Sequence, residues 1–277
     1  MITLIADSGS TKTTWCLVEK TKGAPALVQP VQTQGLNPLY AQEEDIIAAV
    51  RQVIVQTGGK CPDQVQFYGA GCSGERSAVV ERALRKVFTP MTRIEVASDL
   101  LGACRALGTG INCILGTGAI AARYDAATDQ MQSASSLGYI LGDEGSGAWL
   151  GRHVLSDYLK EQMPPRTCSL FEEDFGRLTP ESAIEHVYKM PFPNRYLASF
   201  AIFVGRHTDN SYCQQLAYRG VESFFKRNVL RLQPQSGETI SFVGSVAYGL
   251  QDTLRVVAEL HDLHIGRIIK SPIEGLI

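Results

Sequence analysis

Residues 5–13 read Ile5-Ala6-Asp7-Ser8-Gly9-Ser10-Thr11-Lys12-Thr13, an apolar run that ends at a carboxylate and passes into small hydroxylic residues. Ile2–Ala6 predicts a strand and Thr13–Glu19 its partner, with a Gly/Ser turn between them. A turn of Gly, Ser and Thr brings backbone N–H groups within reach of phosphate oxygens, because no bulky side chain intervenes. Ser8, Gly9, Ser10, Thr11 and Lys12 are therefore candidate phosphate contacts, through backbone, hydroxyl or ammonium donors. Asp7 closes the strand and can hold Mg²⁺ through waters, as carboxylates do beside phosphates. Taken alone, such a stretch is most often only a hairpin turn.

It is not alone. Ile114-Leu115-Gly116-Thr117-Gly118 repeats the pattern, with a strand on either side at Ile111–Leu115 and Ala119–Asp125. Gly116, Thr117 and Gly118 are the second set of phosphate candidates. A third small-residue turn, Val243-Gly244-Ser245, leads from the strand Ile240–Val243 into a helix over roughly 246–261. There Gly244 and Ser245 let a purine and ribose lie against backbone, although Gly-Ser before a helix is equally a plain cap.

Each half then runs on as alternating helices and strands. The first half carries Ala24–Gln34 (an edge or irregular strand, given Pro25 and Pro30), a helix Glu43–Gln56, a strand Gln64–Tyr68, a helix Glu75–Phe88, a strand Ile94–Ala97 and a helix from Asp99 to about Leu107. The second carries a Gly-rich loop Leu137–Gly147, a helix from Ala148 to about Glu161, more helices over 179–233, and a last strand Arg267–Lys270. Met163-Pro164-Pro165-Arg166 and Met190-Pro191-Phe192-Pro193 read as loops. The expected fold is α/β, two lobes of 1–109 and 110–277 facing a cleft, parted near Gly108-Thr109-Gly110. The last segment is placed to pack back on the first lobe.

The composition agrees with a globular enzyme. The chain has 277 residues, 44% hydrophobic and 19% charged, with a net charge of −2. That balance points to neither nucleic acid nor an anionic membrane as partner. No uncharged apolar run reaches the ~18 residues a bilayer needs. Met1 leads straight into the first strand without a signal peptide. The seven Cys are scattered singly, several in apolar runs, and are expected as buried thiols in a reducing cytoplasm.

Other signals are weaker. Gly69-Ala70-Gly71-Cys72-Ser73-Gly74 fits the dinucleotide pattern GxGxxG, but follows the fourth strand rather than the first, and is read as a sharp strand-to-helix exit. There is no GxxxxGK[ST]. His261 and His264 lack further ligands at metal spacing. The apolar positions of Asn210–Leu232 recur at helical spacing and are expected to pack in the core. Asp99 follows a strand and opens a helix, where a carboxylate is either a reactive group or an N-cap.

The chain resembles the N-acetylglucosamine kinase and BadF/BadG-type ATPase branch of the actin, hexokinase and heat-shock-70 superfold. Asp7–Thr13 resembles its first phosphate motif, Cys113–Ala119 the second, Ser241–Ala247 the adenosine motif, and Gly142-Asp143-Glu144-Gly145-Ser146-Gly147 the branch's GDEGS signature. The likeness continues to Ser271-Pro272-Ile273-Glu274-Gly275-Leu276. It implies two actin-like (ribonuclease H-like) lobes around an ATP and sugar cleft, with ATP and Mg²⁺ as cofactors and a homodimeric state. It also implies phosphate contacts at Thr11 and Thr117 and the general base at Asp99. Sugar contacts would fall at Asn37, Asp99, Ser136, Leu137, Gly138 and Asp143.

The implied reaction is phosphorylation of an amino sugar, most simply N-acetylglucosamine at O6, by a cytoplasmic kinase. Animal N-acetylglucosamine kinases carry a Trp beside the aligned Gly138 and another soon after the Asn, where this chain has Leu137 and Pro38-Leu39-Tyr40. That difference leaves glucosamine and N-acetylmuramic acid open as substrates. Two other readings stay open. One is a BadF-type activator ATPase of an iron–sulfur dehydratase or reductase, whose Gly-Gly-Gln-Asp motif is Gly244-Ser245-Val246-Ala247 here. The other is a non-catalytic sugar sensor, which would have no need of a base.

Overall fold

A computed structural model of the chain describes residues 1–19, 26–27 and 30–277. It divides into two compact units, one of Met1–Leu107 with Ser271–Ile277 and the other of Gly108–Lys270.

The first unit is built on a six-stranded sheet. Its strands are β1 (Ile2–Ser8), β2 (Lys12–Glu19), β3 (Ala26–Leu27), β4 (Val31–Gln34), β5 (Gln64–Gly69) and β6 (Arg93–Ser98). Their order is β3-β2-β1-β5-β6, with β4 also on β2. The long strand expected over Ala24–Gln34 is two short ones on the same edge of β2, antiparallel to it. Residues 24, 25, 28 and 29 of that stretch lie outside the described residues. β1 pairs antiparallel with β2 and parallel with β5, and is buried along most of its length, as a central strand covered on both faces must be. Three helices follow the strands: α1 (Glu43–Gln56), α2 (Glu75–Val87) and α3 (Asp99–Leu107). α1 and α2 bury Ile46, Val50, Val53, Val80 and Leu84 against Leu4, Leu17, Val65 and Phe67 of the sheet. The closing segment belongs to this unit, and Ile273 packs with Ile5, Cys16, Val18 and Tyr68.

The second unit repeats the plan. Its strands are β7 (Gly110–Leu115), β8 (Ala119–Asp125), β9 (Gln130–Ser133), β10 (Thr239–Val243) and β11 (His264–Ile269), in the order β11-β10-β7-β8-β9. β7 and β8 form an antiparallel hairpin, while β10 runs parallel to both β7 and β11. Four strands of the first sheet thus have counterparts in the second: β1 and β7, β2 and β8, β5 and β10, β6 and β11. The internal repeat read in the two turns is a repeat of sheet topology.

The helices of this unit are α4 (Gly138–Leu141), α5 (Gly147–Leu159), α6 (Pro165–Phe175), α7 (Pro180–Tyr188), α8 (Pro193–Ser199), α9 (Ala201–Arg206), α10 (Ser211–Phe224), α11 (Ser245–Gly249) and α12 (Gln251–Leu260); α13 (Ile273–Leu276) belongs to the first unit. Several features depart from the sequence expectation: α4 lies within the loop expected over Leu137–Gly147, the helix expected over 246–261 is split into α11 and α12, and the last strand is β11, not Arg267–Lys270. β9 is exposed at every position, so no alternation marks it. Met163–Arg166 does not stay a loop: Pro165 is the first residue of α6, a position where the missing N–H costs nothing. The apolar run to Leu232 does not finish as regular α-helix. It widens into one π-helical turn, Phe225–Val229, and then tightens into a 3₁₀ turn, Leu230–Leu232.

Candidate active site

In the first unit the β1–β2 turn is closed by Gly9 N–H donating to Lys12 O at 3.0 Å. Ser10 is half-buried, while Thr11 and Lys12 face solvent. Ser8 does not point outward. It is fully buried, its hydroxyl lies 2.8 Å from that of Thr13, and it accepts the N–H of Leu36 at 3.1 Å. Gly35 N–H donates to Thr11 O at 3.1 Å. These two bonds pin the segment after β4 onto the turn. Gly35 is indispensable to that approach, because a Cβ there would stand 2.6 Å from the carbonyl oxygens of Gly9 and Ser10.

The pinned segment delivers Asn37. Its side chain is buried, and Oδ1 accepts the N–H of Leu39 at 2.9 Å. Gly71 faces it from the exit of β5, at φ +80°, where a Cβ would lie 2.3 Å from Asn37 Oδ1. The Gly69–Gly74 segment therefore serves as a strand-to-helix exit whose second glycine makes room for Asn37.

Asp7 lies near the end of β1, and Asp99 opens α3 directly after β6, two strands over in the same sheet with β5 between. Ser98 caps α3 by accepting the N–H of Leu101 at 3.2 Å, so Asp99 is not needed as the cap. Burial raises the Asp99 carboxylate to about 6, against backbone hydrogen bonds from Leu100 N–H, at 3.0 Å, and from its own N–H. Asp7 is also raised to about 6, by burial first and by the like charge of Asp99 second, against a bond from the Ser271 hydroxyl at 3.3 Å. A carboxylate desolvated beside another one favours a nearby cation. Among the described residues no cluster of three or more His, Cys, Asp or Glu could hold a metal. Asp7 fits Mg²⁺ in the way that ion is usually held beside nucleotides, by one or two carboxylates with waters and phosphate oxygens completing the shell.

In the second unit the β7–β8 turn is braced from two sides. Gly116 N–H donates to Gly118 O at 3.0 Å, and the first N–H groups of α5, Gly147 and Ala148, donate to Gly116 O and Thr117 O at 2.7 and 3.1 Å. Gly244, at φ +129°, presses on the same turn, with a Cβ there only 2.4 Å from Leu115 O. Ser245, the first residue of α11, is exposed. The two turns that the sequence singled out in this unit are thus in mutual contact.

The GDEGS loop reaches them too. Asp143 has φ +54°, unusual for a non-glycine, and its carboxylate accepts Ala119 N–H at 3.2 Å, next to the Gly116–Gly118 turn. Burial raises its pKa, and the charge of Glu144 adds to the shift. Ser146 caps α5 by accepting Trp149 N–H at 3.2 Å. Gly145, at φ +73°, meets Gly220 of α10, with 2.7 Å from a Cβ to Gly220 O. Leu137, Asp143, Glu144, Arg227, Asn228 and Arg231 line a cavity of about 280 Å³. Ser136, Leu137 and Gly138 are all exposed, and of these Leu137 lines the cavity.

Sequence reasoning missed Gly35, the contact between Gly71 and Asn37, and Arg227 and Asn228. Gly35 and Gly71 had a signal, since each is a glycine beside a candidate site residue. The other two had none.

Among solved structures the chain is similar to the "Putative N-acetylglucosamine Kinase" from Porphyromonas gingivalis, at 41% identity, over 99% of this chain and 96% of that one, with a TM-score of 0.89. It is also similar to the "Putative N-acetylglucosamine Kinase" from Chromobacterium violaceum, at 18% identity, over 99% and 96% of the two chains, TM-score 0.73. A glucokinase from an Antarctic psychrotroph shares the fold at 12% identity, over 99% and 96% of the chains, TM-score 0.51. No protein-family model matches the chain, and no curated protein does. Among the described residues no helix is long and apolar enough to cross a membrane.

Proposed function

The chain belongs to the N-acetylglucosamine kinase family of the actin-like fold, and from that membership we propose that it is an ATP-dependent kinase of an amino sugar, N-acetylglucosamine before glucosamine or N-acetylmuramic acid. The observation that carries this reading is Asp99: a carboxylate raised to about 6, released from helix capping by Ser98 and held by backbone N–H groups alone.

In the proposed reaction the sugar hydroxyl oxygen, at O6, bonds to the γ-phosphorus while the bond from phosphorus to the bridging oxygen breaks and ADP leaves. The hydroxyl proton passes to Asp99. A base near 6 is largely ionised at neutral pH yet still basic enough to accept that proton. Asn37 and Asp143 bind sugar hydroxyls. Ser8–Lys12 and Gly116–Gly118 are the proposed phosphate contacts, with Gly244 and Ser245 against adenosine. Because the Ser8 hydroxyl is engaged inward, that residue contributes through its backbone. Mg²⁺, held by Asp7 and waters, would neutralise phosphate charge.

A coupled assay of ADP release across a panel of amino sugars tests the reading. Asp99→Asn should lose at least ~100-fold in kcat, the lower end of what a positioned base contributes. ADP release that no amino sugar stimulates would overturn the kinase assignment. An unchanged rate in Asp99→Asn would remove Asp99 from the mechanism.

A further inference from the structure

The π-helical turn Phe225–Val229 interrupts a helix whose neighbouring turns bury Phe224, Phe225, Val229 and Leu232. A single π turn inside a helix is uncommon and costs regular hydrogen bonding, so its persistence calls for a reason. What it presents is a pair of consecutive polar side chains aimed at one carboxylate. Arg227 Nε lies 2.8 Å from Glu144 Oε1, and Asn228 Nδ2 lies 3.4 Å from Glu144 Oε2. Successive residues on a regular α-helix diverge by about 100° around the axis. A wider turn lessens that divergence and lets both reach Glu144. Asn228 is buried, only 5% exposed, and Glu144 has 13% of its side chain exposed. Arg227 itself has 64% of its side chain exposed, so its ion pair with Glu144 is partly screened by solvent, and the buried part of the contact is Asn228 on Glu144.

Glu144 directly follows Asp143. The loop around them is held on its other side by Gly145 against Gly220, one turn before Phe224 on the same helix. The loop's own backbone is costly at Asp143, a non-glycine at φ +54°. We infer that Arg227 and Asn228 are positioning residues, which act through Glu144 to hold the Gly142–Gly147 loop in the conformation that aims Asp143. They touch no reacting atom. The inference rests on the kinase reading for its effect on catalysis, but the anchoring itself does not depend on it.

Two measurements test it separately. Amide hydrogen exchange of residues 142–147, with no ligand added, reads the anchoring alone. Arg227→Ala and Asn228→Asp should each speed exchange there by at least ~10-fold, while amides of β7 and β10 keep their rates. Steady-state kinetics with N-acetylglucosamine and ATP read the consequence. Both variants should raise the sugar KM by about 5- to 50-fold with kcat changed less than about 3-fold, and Arg227→Lys should recover part of the loss. Glu144→Gln combined with Arg227→Ala should lose no more than the worse single variant, because both act along one path. Wild-type exchange in Arg227→Ala overturns the anchoring. Faster exchange with wild-type KM for both substrates overturns the positioning role. Wild-type protein that phosphorylates no amino sugar, with the exchange result intact, overturns the kinase reading and leaves the anchoring standing.

Discussion

Gly71→Ala is the substitution that separates backbone strain from the role of a glycine in the site. Gly71 has φ +80°, and its absent Cβ would stand 2.3 Å from Asn37 Oδ1. Two costs follow. An L-residue in the left-handed region pays roughly 1–2 kcal/mol. The new methyl and the amide oxygen must also part by about 1 Å to reach normal contact, an overpacking cost of roughly 1–3 kcal/mol. The sum is about 2–5 kcal/mol. Gly58 is the matched control: it has the same φ of +80°, lies in the same unit and has nothing within 4 Å of its Cβ position. Gly58→Ala should therefore cost only the strain, about 1–2 kcal/mol. Urea unfolding followed by Trp15, which is fully buried in that unit's core, gives both numbers in a Trp149→Phe background. Kinetics divide the variants further. Displacing Asn37 by about 1 Å should lower kcat/KM for the sugar by roughly 10- to 100-fold in Gly71→Ala. Gly58→Ala should stay within about 2-fold of wild type. Equal stability losses together with unchanged sugar kinetics in both would refute the view that Gly71 is there to admit Asn37.

Gly244→Ala sets a Cβ 2.4 Å from Leu115 O at φ +129° and should raise the KM for ATP more than that for the sugar, which initial-rate kinetics will show. The pH profile of kcat/KM should fall below about pH 6, because Asp99 and Asp7, both raised to about 6, must be ionised to accept a proton or hold a cation. The same shifts act oppositely on stability. The folded state binds more protons than the unfolded chain between about pH 4 and 6, so stability declines as pH rises across that window. Asp7→Asn removes one desolvated carboxylate and should raise the melting temperature of the ligand-free protein at pH 7.5, with the gain shrinking toward pH 4 in a thermal scan.

Much of the fold was legible because local signals and tertiary demands coincided. The Ser8–Lys12 and Gly116–Gly118 turns stand out as small residues between apolar runs, and their topological equivalence follows from two sheets of like order. α1 and α3 begin where the sequence places them, at Glu43 and Asp99, since apolar spacing and first-turn acids agree. Where burial does not require a pattern, none was written. β9 is exposed throughout and pairs with β8 at the edge of the sheet, so no alternation in its side chains announces it. α6 hid behind Pro164-Pro165, which reads as a loop but serves as a helix start.

Asp7 and Asp99 could be nominated from sequence, because a carboxylate at a strand end carries its chemistry in its residue type, while Asn37 and Asp143 were nominated through the family resemblance. What each one can do was decided by its surroundings in the fold, some of them adjacent and others far along the chain. Whether Asp99 caps a helix depends on Ser98 taking that bond, and its raised pKa depends on the burial around it. Whether Ser8 faces a ligand depends on Leu36, 28 residues away, which draws its hydroxyl inward. That Glu144 is an anchor point depends on Arg227 and Asn228, more than eighty residues later, and on one π turn that no periodicity foretells. Residue type and spacing determined which groups are present and which elements bear them. Protonation, orientation and hydrogen-bond partners are long-range quantities, set by low dielectric and close packing, and only the tertiary structure decided them.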